Sequence, residues 1–165
     1  MAVTAKDEVT KATKRMDELH IPYELIHYAI DTGDLSGEHA ADDMELPYDV
    51  VYKTLVLRGN NTGVIEACIP SGCELDIEAL ARVSGNDKVA MVNQKELFLL
   101  TGYVMGGCSP IKSGKLYPVY IHSDALNHEK FAVNAGARGQ MFYMPAQEFA
   151  KAAKAQFADI AKKKR

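Results

Sequence analysis

The chain has 165 residues, 47% hydrophobic and 25% charged. That is one core of ordinary domain size and short for two, and the balance excludes an intrinsically disordered chain. A net charge of −3 argues against a protein that coats nucleic acid non-specifically. The total hides a division. Residues 1–50 carry four basic and twelve acidic side chains, net −8, whereas residues 51–165 carry fifteen basic and ten acidic, net +5. No apolar run approaches the ~20 residues that span a bilayer, so no membrane partner is expected. Met1 to Leu19 alternates charged and small residues and lacks the apolar stretch of a signal peptide. Three cysteines, an odd number in a chain with enough core to need no staples, point to a reducing, cytoplasmic compartment.

Residues 4–19 read as a helix capped by Thr4, with Val9, Ala12, Met16 and Leu19 at helical spacing, and Pro22 prevents its continuation. Residues 23–28 look like a strand, followed by turn chemistry at Asp31-Thr32-Gly33-Asp34. Ser36 is an N-cap for a short acidic helix over 37–44, with Glu38 in its first turn. The clearest strand is 50–58. Asn60-Asn61-Thr62-Gly63 then turns the chain into a second strand, Val64 to Ile69, to make a hairpin that Pro70-Ser71-Gly72 ends. Leu75 to Val83 reads as a helix and Val89 to Met91 as a short strand. Asn93 caps a helix that runs to about Leu100, with Glu96 three positions on as in a capping box. Residues 102–110 are too glycine-rich for regular structure. Leu116 to Ile121, Lys130 to Asn134 and Gln140 to Met144 are strands, the last two joined by residues 135–139. Pro145 opens a last helix whose apolar face is Phe149, Ala153, Phe157 and Ile160. The sum is six or seven short strands interleaved with short helices: one α+β domain over 1–165, around a mixed or antiparallel sheet.

Lys53 is the first candidate for chemistry. Val51, Lys53, Leu55 and Leu57 share one face of the strand and Val50, Tyr52, Thr54 and Val56 the other, so Lys53 sits among core-like residues whichever side is buried. Two readings stay open: a strand-end lysine that snorkels to water, and a pocket lysine that meets a carbonyl, phosphate or carboxylate. In the loop, Gly102, Gly106 and Gly107 let the backbone approach a ligand closely, Ser109 adds a hydroxyl and Pro110 stiffens the exit, although a plain connector has the same composition. The pattern is neither a Walker A loop nor the dinucleotide fingerprint. Arg138, in the 134–139 connection, is placed either to reach a phosphate or carboxylate or to stand in solvent as a turn arginine. Metal binding is not expected. The five histidines show no i, i+4 pairing, and Cys68 and Cys73 form no CxxC. Cys108 fits a buried or loop-lining thiol better than a thiol-hydrolase nucleophile. The run Lys162 to Arg165 reads as a solvated tail, or as a sequence-independent phosphate contact.

Several of these segments resemble one family. Ile21-Pro22-Tyr23, Val51-Tyr52-Lys53-Thr54-Leu55-Val56, Gly102-Tyr103 followed by Gly106-Gly107-Cys108-Ser109-Pro110, Asn134-Ala135-Gly136-Ala137-Arg138-Gly139 and Phe157-Ala158-Asp159-Ile160-Ala161 occur in the order seen in the YbaK-like Cys-tRNA(Pro)/Cys-tRNA(Cys) deacylases, over nearly the whole chain. The resemblance implies a compact α+β domain on a mixed, barrel-like sheet. It also implies an enzyme that removes mis-attached cysteine from tRNA(Pro), with no cofactor. By the same resemblance Lys53 falls on the family's essential lysine and Tyr28 on a tyrosine implicated in activity. Gly102, Gly106 and Gly107 fall on the loop that surrounds the aminoacyl ester. Glu148 stands where the family commonly has an aspartate, one methylene shorter. Cys108 occupies a position that other members fill with an apolar residue. The family mechanism has the substrate's own thiol attack its ester carbonyl, so the protein supplies a cation, backbone donors and a pocket. The expected partners are the 3′-end of mischarged tRNA(Pro) and, in a ternary complex, prolyl-tRNA synthetase, with the protein itself a monomer. Two other readings compete: a deacylase for another small amino acid such as alanine, using a bound water, and a non-catalytic module that binds tRNA or a synthetase.

Overall fold

A computed structural model describes residues 7–111 and 117–164. In chain order the elements are α1 (Lys11–Glu18), β1 (Glu24–His27), α2 (Gly37–Met44), β2 (Tyr52–Gly59), β3 (Gly63–Pro70), β4 (Cys73–Leu75), α3 (Ile77–Ser84), β5 (Val89–Met91), α4 (Gln94–Thr101), β6 (Val119–His122), a 3-10 turn (Ser123–Asn127), β7 (Phe131–Ala137), β8 (Gln140–Met144), α5 (Ala146–Ala153), β9 (Gln156–Ala158) and β10 (Ala161–Lys163). Helix starts follow local chemistry. The side chains of Thr10, Ser36, Asp76 and Asn93 each accept from the backbone N–H three residues on. Gly85 and Gly102 then end α3 and α4 in the left-handed conformation.

Several expectations need correction. Helix α1 begins at Lys11, because Thr10 and Thr13 form a reciprocal capping box there; Thr4 lies outside the described residues. Helix α5 stops at Ala153, where Lys154 turns left-handed at φ 54°, so Phe157 and Ile160 are not on its face. Phe157 lies in β9, and Ile160 is buried between β9 and β10 against Leu57, Ile69 and Leu80. Their spacing suits a helix, but Phe157 is paired with Ile121 of β6 and Ile160 is taken into the second core cluster. The strands number ten among the described residues rather than six or seven, since β4, β9 and β10 are three-residue strands too short to show a period. Strand β6 starts at Val119, while Leu116 is outside the described residues.

The strands form three sheets: β1-β8-β7, β10-β4 and β5-β2-β3-β6-β9. The large sheet is mixed. Strand β2 pairs antiparallel with β3 and β5, while β3–β6 and β6–β9 are parallel. It meets the three-stranded sheet through a single parallel bridge, Val51 to Ala132. Among the described residues the sheets do not close on themselves, so the expected barrel-like closure is not seen. One core cluster stacks Tyr52, Phe131, Phe142 and Phe149 in edge-to-face contacts, with centroids 5.2–6.0 Å apart. A second lies under Leu57, Ile65, Ile69 and Leu80. Strand β2 feeds both, which brings Lys53 to the junction of the two sheets. No described helix is long and apolar enough to cross a membrane.

Candidate functional site

A cleft of about 330 Å³ opens at that junction. Its walls are the start of β2 (Tyr52 to Leu55), the N-terminus of α2 (Ser36 to Glu38), the glycine loop (Met105, Gly106, Cys108) and Asn134 of β7. Tyr28 and Lys164 complete the rim. Lys53 is half-buried here. Burial, reinforced by the Lys164 ammonium, holds its pKa below the ordinary lysine value, and Glu38 and Cys73 pull in the opposite direction. Lys164 Nζ donates to both carboxylate oxygens of Glu38, at 3.1 and 3.0 Å.

The glycine loop is held by its carbonyls. Asn134 Nδ2 donates to the carbonyl of Gly106 at 2.9 Å and to that of Ala137 at 3.2 Å, and Asn134 Oδ1 accepts from the Gly136 N–H at 2.7 Å. Arg138 Nε donates to the carbonyl of Met105 at 2.7 Å, and the Tyr28 hydroxyl reaches that of Gly106 at 3.4 Å. Gly106 adopts φ +82°, and a Cβ on Gly107 would stand 3.1 Å from the Arg138 amide nitrogen. The two glycines therefore permit a turn and a close backbone approach that other residues would strain. The Gly107 N–H is spent on the carbonyl of Val104 at 3.0 Å.

The structure gathers Lys53, Tyr28 and Gly106 at the cleft, packs Gly107 against Ala137 and Arg138, and sets the other candidates apart. Gly102 is the left-handed cap of α4, behind the loop. Ser109 is buried, and its hydroxyl accepts from the Ile111 N–H at 3.2 Å. Arg138 buttresses the loop. Glu148 is in the first turn of α5, paired at 2.6 Å with Lys151, and does not line the cleft. Cys108 is buried beside Val56 and Tyr103 at the cleft wall. Sequence reasoning passed over Asn134, Glu38 and Lys164. Asn134 has a visible signal in retrospect, a polar residue within an apolar strand ahead of Gly136. Glu38 and Lys164 have none, because one reads as a first-turn carboxylate and the other as part of a basic tail. Among the described residues no group of three or more His, Cys, Asp or Glu is arranged to hold a metal ion.

Residues 35–152, which supply all of the cleft lining but Tyr28 and Lys164, match the aminoacyl-tRNA editing domain family, and the chain belongs to that family. A relative from Enterococcus faecalis, named "Putative Cys-tRNA(Pro)/Cys-tRNA(Cys) deacylase EbsC", is 36% identical over 163 residues, covering 99% of each chain. The fold recurs in the crystal structure of "a putative trans-editing enzyme for prolyl tRNA synthetase", with TM-score 0.77 and 19% identity over 94% of this chain and 99% of that one. It recurs also in a crystal structure described only as a hypothetical protein, with TM-score 0.82 and 22% identity over 92% of this chain and 99% of that one.

Proposed function

We propose that this protein is a free-standing aminoacyl-tRNA deacylase that removes cysteine wrongly attached to tRNA(Pro). The observation that carries the reading is Lys53, a lysine of lowered pKa in a small cleft beneath a loop whose carbonyls are tethered, within a chain of the editing-domain family. A cleft of about 330 Å³ suits a small aminoacyl group and the end of a nucleotide, not a folded RNA.

In the proposed reaction the cysteine thiol gives up its proton and its sulfur attacks the ester carbonyl carbon. The tetrahedral adduct expels the 3′-terminal ribose oxygen, which takes up a proton, and cysteine leaves as a cyclic thiolactone. The Lys53 ammonium and the Gly106 amide stabilise charge on the carbonyl oxygen as it develops. The cleft walls hold the thiol near its own carbonyl, and such proximity supplies roughly 7–11 kcal/mol in well-oriented cases. Serine's hydroxyl is a far poorer nucleophile at neutral pH and alanine has none, so chemistry as well as size selects cysteine.

The −3 net charge supports weak grip on the tRNA body. The protein then works as a monomer on the 3′-end while prolyl-tRNA synthetase holds the rest. Three cysteines, none of them in a disulfide, fit a reducing, cytoplasmic setting. The test is a panel of tRNA(Pro) charged with Cys, Ala, Ser or Pro, presented to wild type and Lys53→Ala. Loss of Cys alone, abolished in the variant, is expected. Equal release of Ala and Cys overturns the thiol-assisted mechanism, and no release of any amino acid favours a binding module.

A further inference from the structure

We infer that Glu38 is the acceptor for the α-ammonium of the aminoacyl group, which takes the place of the Lys164 ammonium on this carboxylate. The inference rests on the deacylase reading above and adds to it a chemical requirement on the substrate, a free amino terminus.

Among the described residues that line the cleft only three carry charge: Lys53, Lys164 and Glu38. An aminoacyl ester brings one cationic group, its α-ammonium, and Glu38 is the one carboxylate there to receive it. Its position is built in. Ser36 caps α2 from the His39 N–H, and Gly37 lies so close to Ser71 that a Cβ would fall 2.4 Å from the serine hydroxyl. Ser71 in turn donates both its N–H and its hydroxyl to the carbonyl of Val51. The first turn of α2 is thereby seated over the beginning of β2, two residues from Lys53.

Lys164 shows what Glu38 binds. A lysine head group and the α-ammonium of an amino acid are the same –NH3⁺ chemistry, and Lys164 Nζ engages both oxygens of Glu38. Strand β10 pairs with β4, Lys163 opposite Cys73, and so delivers Lys164 to the rim. The pair is only partly shielded, with side-chain exposures of 42% for Lys164 and 32% for Glu38. Exposed pairs of this kind contribute little net stability, so a substrate ammonium exchanges for Lys164 at small cost. An ammonium on Glu38 sets its ester carbonyl about 2.5 Å further along, two covalent bonds away, within the cleft that Lys53 also lines. The same contact rejects esters whose nitrogen is acylated, because they bring no positive charge and leave the carboxylate unpaired. The chain would then spare peptidyl and formylated aminoacyl esters.

The test compares Cys-tRNA(Pro) with N-acetyl-Cys-tRNA(Pro) near pH 6.5, below the ordinary α-amino pKa of about 7.7–8.0. Wild type is expected to prefer the free amine by about tenfold or more in kcat/KM, the scale of one charge-assisted hydrogen bond. Glu38→Gln reduces the preference to within about twofold, chiefly by slowing the free-amine substrate, and Glu38→Asp keeps part of it. Lys164→Met retains the preference. A Glu38→Gln enzyme that still prefers the free amine as wild type does overturns the inference alone, and so does loss of the preference in Lys164→Met with Glu38 intact. A wild type that releases neither ester overturns the deacylase reading and this inference with it.

Discussion

Asn134 donates its amide hydrogen to the carbonyl of Gly106, 28 residues earlier in the chain, at 2.9 Å. Strand β7 thereby sets the position of the glycine loop, and the loop sets the roof of the cleft. Asn134 is 6% exposed and satisfies three backbone groups at once. Asn134→Ala removes three largely shielded hydrogen bonds to the backbone, at a cost of roughly 1–3 kcal/mol. A lowered denaturation midpoint and a larger loss in kcat than in the affinity of the folded protein for substrate are expected. Unchanged stability and activity would show that the loop holds its shape without this anchor.

Lys53 should destabilise the protein that needs it. Its pKa in the folded chain is lowered, by burial first and by Lys164 second. Between that lowered value and the unfolded value of about 10.4, the unfolded chain binds more protons, so this group makes stability rise with pH across the window. Below the window the charged ammonium is a standing cost. Lys53→Met should therefore be inactive yet melt at a higher temperature than wild type at pH 7, and the gap should close as the pH approaches 10. Melting curves at several pH values check this, and a lower Tm for the variant at pH 7 contradicts it.

Cys108 lines the cleft but is packed against Val56 and Tyr103 as a core residue. Cys108→Ala should lose less than about tenfold in deacylation rate, a packing effect, against a loss of about a hundredfold or more for Lys53→Ala. Abolished activity in Cys108→Ala would revive an enzyme-borne thiol nucleophile.

A chelator should leave the rate untouched, since among the described residues no metal-binding cluster is arranged. Inhibition by a chelator, reversed by adding back a divalent cation, would contradict a reaction carried by Lys53 and the substrate thiol.

The parts of the molecule that were legible from sequence are those fixed by neighbouring residues. The caps at Ser36 and Asn93, the β2–β3 hairpin and the irregular glycine loop all follow from local chemistry. What was hidden depends on distant pairing. Phe157 and Ile160 keep a helical spacing but are claimed by β6 and by the second core cluster. The cleft divides the same way. Lys53 stands out because a charge in an apolar strand is a local anomaly. Glu38 and Lys164 meet only because β10 crosses to β4, 126 residues from the partner carboxylate. Arg138 reads from sequence either as a ligand contact or as a solvated turn arginine, and neither reading foresees the bond from its Nε to the carbonyl of Met105.

The parallel pairing of β3 with β6 bears on how the molecule is assembled. Strand β2 meets β3 across a short turn, so the segment that bears Lys53 can form early from contacts close in sequence. Strand β6 joins β3 with Glu66 opposite Val119, and the bridge from Val51 to Ala132 spans a longer loop still. Such closures are slow because chain entropy is lost before the contacts repay it. The wall containing Asn134 is therefore expected to be added after the wall containing Lys53. In that order of assembly the lysine stays hydrated until the later half of the chain arrives.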